Sequence, residues 1–100
     1  MKIIWSPFSL SKLDDILEFI ARDNVDAALA LIDEFEERVK GLAAHPLKGR
    51  LVPSLNDELK RELIVRDNYL IVYEIQDNTI EILTIRHAKQ DPDESNPDRK

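Results

Sequence analysis

One hundred residues hold one domain and leave little for a second, and a core that small gives only marginal stability unless a partner adds to it. There is no cysteine, which removes disulfides, thiolate nucleophiles and cysteine-ligated metals and suits a reducing compartment. The net charge of -6 argues against general affinity for nucleic acid, because neutralising phosphates supplies most of that affinity.

The chain opens on Lys2–Trp5, which reads as a short strand. Its apolar run is too short for a signal peptide, and no later stretch approaches the roughly 18 apolar residues of a membrane span. A soluble, cytoplasmic protein with no membrane association is expected. Ser6-Pro7 is a helix start: serine can cap free backbone N–H groups and proline is at home in the first helical position. Leu10, Leu13, Leu17 and Ile20 then recur at helical spacing with Ile16 beside them. Asp23-Asn24 breaks this helix and can cap the next, whose stripe is Ala28, Ile32, Phe35, Val39 and Leu42, ending before His45-Pro46. So short a connection predicts an antiparallel helical hairpin.

Pro46 to Leu59 has turn chemistry and is expected to be a loop. Three strands follow, over residues 61–65, 69–76 and 79–87, joined by turns at Arg66-Asp67-Asn68 and Asp77-Asn78. Residues 91–100 are polar, contain two prolines and read as a flexible tail after one domain over 1–90. The predicted fold is α+β, in the order βααβββ, with the helical hairpin packed on a small antiparallel-rich sheet. Alternation places Tyr69, Ile71, Tyr73 and Ile75 on one face of the middle strand and Leu70 and Val72 on the other. It places Leu83 and Ile85 opposite Ile80 and Ile82. Both sheet faces are therefore partly apolar, and two helices cover one of them. Unless the loop or tail folds over the other, it forms an apolar patch suited to a partner.

Charge is divided along the chain. Ser11–Ala44 holds nine acids against four bases, whereas His45–Arg66 holds five bases against three acids. The acidic part reads as solvated helix surface. Standard catalytic constellations are absent from the pattern. His45 and His87 have no metal-ligand spacing, two glycines cannot build a phosphate-cradling loop, and the serines at 6, 9 and 11 suit capping better than attack. No cofactor or metal is expected. What remains is a sparse cationic set: Arg50, Arg61, Arg66, Arg86, His87 and Lys89. These side chains can be ordinary surface cations, anchors for a protein target, or groups that stabilise charge at a scissile phosphate with histidine as acid or base.

Several short segments, in order, resemble the RelE/ParE toxin superfamily from residue 3 to residue 91. They are Trp5-Ser6-Pro7, Leu13-Asp14-Asp15-Ile16, Phe19-Ile20-Ala21, Ala27-Ala28 and Leu42-Ala43-Ala44-His45-Pro46. Gly49-Arg50, Pro53, Arg61-Glu62-Leu63, Tyr69 to Ile75 and Ile85 to Asp91 complete the series. The resemblance implies the βααβββ fold and a toxin of a type II toxin–antitoxin pair, neutralised by a cognate antitoxin that lays a helix and a strand on it. It implies one of two activities. RelE-like members cut messenger RNA on the ribosome, and here Arg50, Arg61 and His87 would carry that chemistry. ParE-like members bind a protein, DNA gyrase, and here Arg61, Arg66, Arg86, His87 and Lys89 would form the target surface. RelE-like ribonucleases commonly carry arginine directly after the position matching Tyr69, where this chain has Leu70. They often carry a late tyrosine, and none follows Tyr73 here. The resemblance therefore leans to the ParE, plasmid-stabilisation side and to a non-enzymatic toxin. The ribosome-dependent ribonuclease and a non-toxic binding module on the same fold are the alternatives.

Overall fold

The computed structural model describes residues 1–53 and 57–88. The elements are β1 (Lys2–Trp5), α1 (Pro7–Ala21), α2 (Val25–Lys40), β2 (Arg50–Leu51), β3 (Lys60–Val65), β4 (Tyr69–Gln76) and β5 (Thr79–His87), with a 3-10 turn at Gly41–Ala43 after α2. The expected tail over 91–100 lies outside the described residues. Among the described residues, no helix is long and apolar enough to cross a membrane.

The helix boundaries follow from the capping residues. Ser6 Oγ accepts the Ser9 N–H at 3.0 Å, with Pro7 in the first turn of α1. Asn24 Oδ1 accepts the Ala27 N–H at 3.0 Å and starts α2. Asp26 in the first turn of α2 and Arg38 and Lys40 in its last turn complement the helix dipole. The buried stripes differ in detail from expectation. In α1, Leu13 is buried and Leu10 is exposed, while Ser9 is wholly buried, its hydroxyl satisfied by donating to the Ser6 carbonyl at 2.7 Å. In α2, Leu31 rather than Ile32 joins Ala28, Phe35 and Val39 in the core.

The sheet order is β1-β5-β4-β3-β2. β1 runs parallel to β5, and the remaining pairs are antiparallel. β2 corrects the expectation that residues 46–59 form only a loop: Arg50 pairs with Glu62 and Leu51 with Arg61. A two-residue strand has no periodicity of its own and exists because β3 offers an edge. A second correction concerns β5. Its register on β4 passes from Val72↔Thr84 to Tyr73↔Ile82, so Leu83 is an extra, bulged residue. The bulge restarts the alternation and brings Ile80, Ile82 and Ile85 to the same face. That face carries Leu63, Val65, Tyr69, Ile71 and Tyr73 as well, and packs on Leu13, Leu31, Phe35, Val39 and Leu42. Phe35 meets Tyr69 edge-on, with ring centroids 5.4 Å apart. Arg38 fastens α2 to the sheet by donating to the Ile64 carbonyl at 2.8 Å.

On the outer face Leu70 and Val72 are buried, together with Glu62, Thr84 and Arg86. The open apolar patch that the alternation suggested is therefore not present at these positions. The β3–β4 turn holds Arg66 and Asp67 at positive φ, 55° and 59°. Two consecutive left-handed residues match the right-handed twist of the hairpin, a geometry for which glycine and asparagine are the easier residues.

Candidate functional site

Five of the six candidate cations lie among the described residues, on three parts of the structure. Arg61 lies on the helix side of β3, opposite Tyr73, and donates from Nη1 to the Gly49 carbonyl at 2.9 Å. Its Nε is buried and has no hydrogen-bond partner among the described residues. Arg66 stands at the hairpin tip and pairs with Glu34 of α2. His87 pairs with Tyr69 across the strands, and its ring tilts over the Tyr69 ring with centroids 4.9 Å apart. Arg86, one residue earlier, sits on the outer face opposite Leu70 and donates from Nη2 to Glu62 Oε1 at 3.0 Å. Arg50 reaches the same carboxylate from β2, its Nε 2.7 Å from Glu62 Oε2. Lys89 lies outside the described residues.

The structure thus joins Arg50 and Arg86 through Glu62 and keeps Arg61, Arg66 and His87 apart from them. Glu62 is a residue that sequence reasoning passed over. Nothing in the local pattern marks it, since a glutamate in a strand reads as a solvated side chain. The available signal was its register: two residues short of Ile64, it must share a face with Leu70 and Val72.

Tyr73 organises the segment that leads into β2. Its hydroxyl donates to the Pro46 carbonyl at 2.7 Å and accepts the Gly49 N–H at 2.9 Å. Burial pushes the Tyr73 hydroxyl above its ordinary pKa, while the Gly49 hydrogen bond and the Arg61 charge pull it back. Gly49 is required here by space. A Cβ would stand 2.6 Å from the Tyr73 hydroxyl and 2.8 Å from the Glu62 carbonyl oxygen. Tyr73, Gly49 and Arg61 together fix where β2 begins, and so where Arg50 is presented.

Between α1 and the end of β5 lies a cleft of about 310 Å³, walled by Ile16, Phe19, Ile20, Tyr69, Ile85 and His87, with Lys12, Asp15 and Arg86 also lining it. Phe19 is 71% exposed beside it, the most exposed large apolar side chain among the described residues. A half-open apolar cleft next to an exposed aromatic suits the insertion of bulky side chains from another protein. Among the described residues, no three histidine or carboxylate groups gather as a metal site.

Residues 3–92 match the family model described as ParE toxin of type II toxin-antitoxin system, parDE. The Sinorhizobium fredii protein Y4kP is 37% identical over 90 residues, covering 89% of this chain and 90% of that protein. Toxin RelE2 of Caulobacter vibrioides is 30% identical over 87 residues, covering 87% and 94%. A solved structure described as a chromosomal ParDE TA system from P. aeruginosa superposes with a TM-score of 0.73 over 89% of this chain and 97% of that one, at 23% identity, and so shares its fold. The chain belongs to the ParE toxin family of type II toxin–antitoxin systems.

Proposed function

We propose that the chain acts by gripping a protein, with DNA gyrase as the candidate target, and that a co-expressed antitoxin neutralises it by occupying the apolar cleft between α1 and β5. The observation that carries this reading is the divergence of the cations. Arg86 and His87 are successive strand residues on opposite faces, and Arg86 is held by Glu62. Arg61 shares the helix-side face with His87 but stands opposite Tyr73, four residues along β4 from the Tyr69 that His87 faces, and is engaged with the Gly49 carbonyl. Stabilising a phosphoryl transition state needs donors aimed at one point before the reaction begins. Recognition of a protein needs separate anchors around an apolar centre, which is how the cleft and its neighbours are disposed.

The chain produced alone should arrest growth, and production with the protein encoded by the adjoining reading frame should restore it. Harmless production of the chain alone would support a binding module without toxicity. The Caulobacter relative named Toxin RelE2 keeps a second reading open, a ribosome-dependent ribonuclease using His87 with Arg61 or Arg50. Primer extension on messenger RNA after induction separates the two. New cuts within translated codons favour the ribonuclease, and growth arrest without cuts favours the protein target.

A further inference from the structure

The outer face of the sheet holds an ion cluster, Glu62 with Arg50 and Arg86, that lies apart from the hydrophobic core and meets the cleft only through Arg86. The Glu62 side chain is 1% exposed and lies between Arg86, 7% exposed, and Arg50, 59% exposed. Taking such a cluster out of water is costly, and well-packed apolar side chains of the same volume commonly serve stability as well. Its chemistry is therefore better explained by what it presents. Two guanidinium groups carry about ten N–H donors, whereas one carboxylate has room for about four. The cluster keeps one net positive charge and spare donors, and its exposed end is Arg50. With Nε fixed on Glu62 at 2.7 Å, the guanidinium is held in orientation while its outer nitrogens remain for another acceptor.

We propose that Arg50 is the receptor for a carboxylate on a protein partner, and that Glu62 is the residue that positions it. The inference rests on the protein-binding reading above and names the chemistry of one contact. A protein fits better than a nucleic acid for two reasons. The chain carries a net charge of -6, which repels a polyanion but tolerates a single carboxylate. Beside Arg50 on the same two-residue edge strand, Leu51 is 48% exposed, so a partner segment meets a cation and an apolar side chain together. The planar guanidinium can take both carboxylate oxygens at once, which an ammonium group cannot.

The test follows the Arg50 and Arg86 Nε–Hε resonances of the isotope-labelled full chain. The probes are a synthetic leucine–serine peptide carrying a single glutamate, its counterpart with glutamine at that one position, and inorganic phosphate. The glutamate peptide should shift the Arg50 resonance saturably, and the glutamine peptide should bind at least about tenfold more weakly, the loss of one charge-assisted contact. Arg50→Lys, at an exposed position that leaves folding intact, should weaken the glutamate peptide by a similar factor. Glu62→Gln, compared at matched helical content, should weaken it as well, because the Arg50 guanidinium is no longer held in orientation. Equal binding of the two peptides, wild-type binding by Arg50→Lys, or phosphate binding more tightly than the glutamate peptide would each overturn the proposal. None of these outcomes depends on growth arrest. A harmless chain that still binds through Arg50 would remove the toxin reading alone, and a toxic chain indifferent to Arg50→Lys would remove this inference alone.

Discussion

Replacing Gly49 by alanine should be among the most damaging single-methyl additions in this chain. The new Cβ would stand 2.6 Å from the Tyr73 hydroxyl, 2.8 Å from Tyr73 Cε1 and 2.8 Å from the Glu62 carbonyl oxygen. Only the first contact involves the far end of a side chain, and that end is pinned by the Pro46 carbonyl at 2.7 Å. The backbone at Glu62 belongs to β3 and cannot retreat without breaking its pairing with β4. Overpacking of this kind costs about 1–3 kcal/mol. Losing the Tyr73 hydrogen bonds adds about 1 kcal/mol. A total of roughly 2–4 kcal/mol is a large share of the 5–15 kcal/mol typical of small domains. It corresponds to a fall in Tm of at least about 8 °C. Urea unfolding followed by far-ultraviolet circular dichroism measures it directly. Tyr73→Phe removes the closest contact, so the double variant should be destabilised by less than the sum of the two singles, with a coupling of at least about 0.5 kcal/mol. A Gly49→Ala variant within about 0.5 kcal/mol of the parent, or strict additivity with Tyr73→Phe, would refute the claim that this crowding fixes β2.

Arg86→Ala leaves Glu62 buried with one partner and should cost about 3 kcal/mol in urea unfolding, whereas Glu62→Leu with Arg86→Met should lie close to the parent. Asp67→Gly should stabilise by about 0.5–1 kcal/mol in the same assay by easing a positive φ of 59° at the β3–β4 turn. The raised pKa of Tyr73 means that the folded state holds its proton more tightly than the unfolded chain does. Its contribution is complete below the ordinary tyrosine pKa and is lost as pH rises through the raised folded value. Stability measured from pH 9 to 11 should therefore fall more steeply in the parent than in Tyr73→Phe, and equal slopes would contradict the assignment.

Much of the fold was legible because local chemistry agreed with the global arrangement. Ser6-Pro7 and Asn24 each solve the capping problem of a helix, and each does so in the structure. The two β-hairpins follow from alternation interrupted by polar turns. The features missed are ones that local pattern does not encode. β2 is two residues long and is created by the edge of β3. The Leu83 bulge shifts alternation without any glycine to mark it, and so reverses the face assigned to Ile85 relative to Ile80 and Ile82. The candidate cations were legible as residue types, whereas their separation was not, because it depends on which face each strand position takes. Glu62 stayed hidden for the same reason: its partners, Arg50 and Arg86, lie 12 and 24 residues away along the chain.

If this ParE-family chain disables a protein rather than an RNA, as proposed, DNA gyrase should respond to it directly. The most direct measurement adds the purified full-length chain to purified DNA gyrase with supercoiled and relaxed plasmid. Cleaved DNA–gyrase complexes should accumulate and supercoiling should be lost as the chain is titrated, and the co-expressed antitoxin should reverse both. Unchanged supercoiling and unchanged cleavage at saturating protein would contradict it.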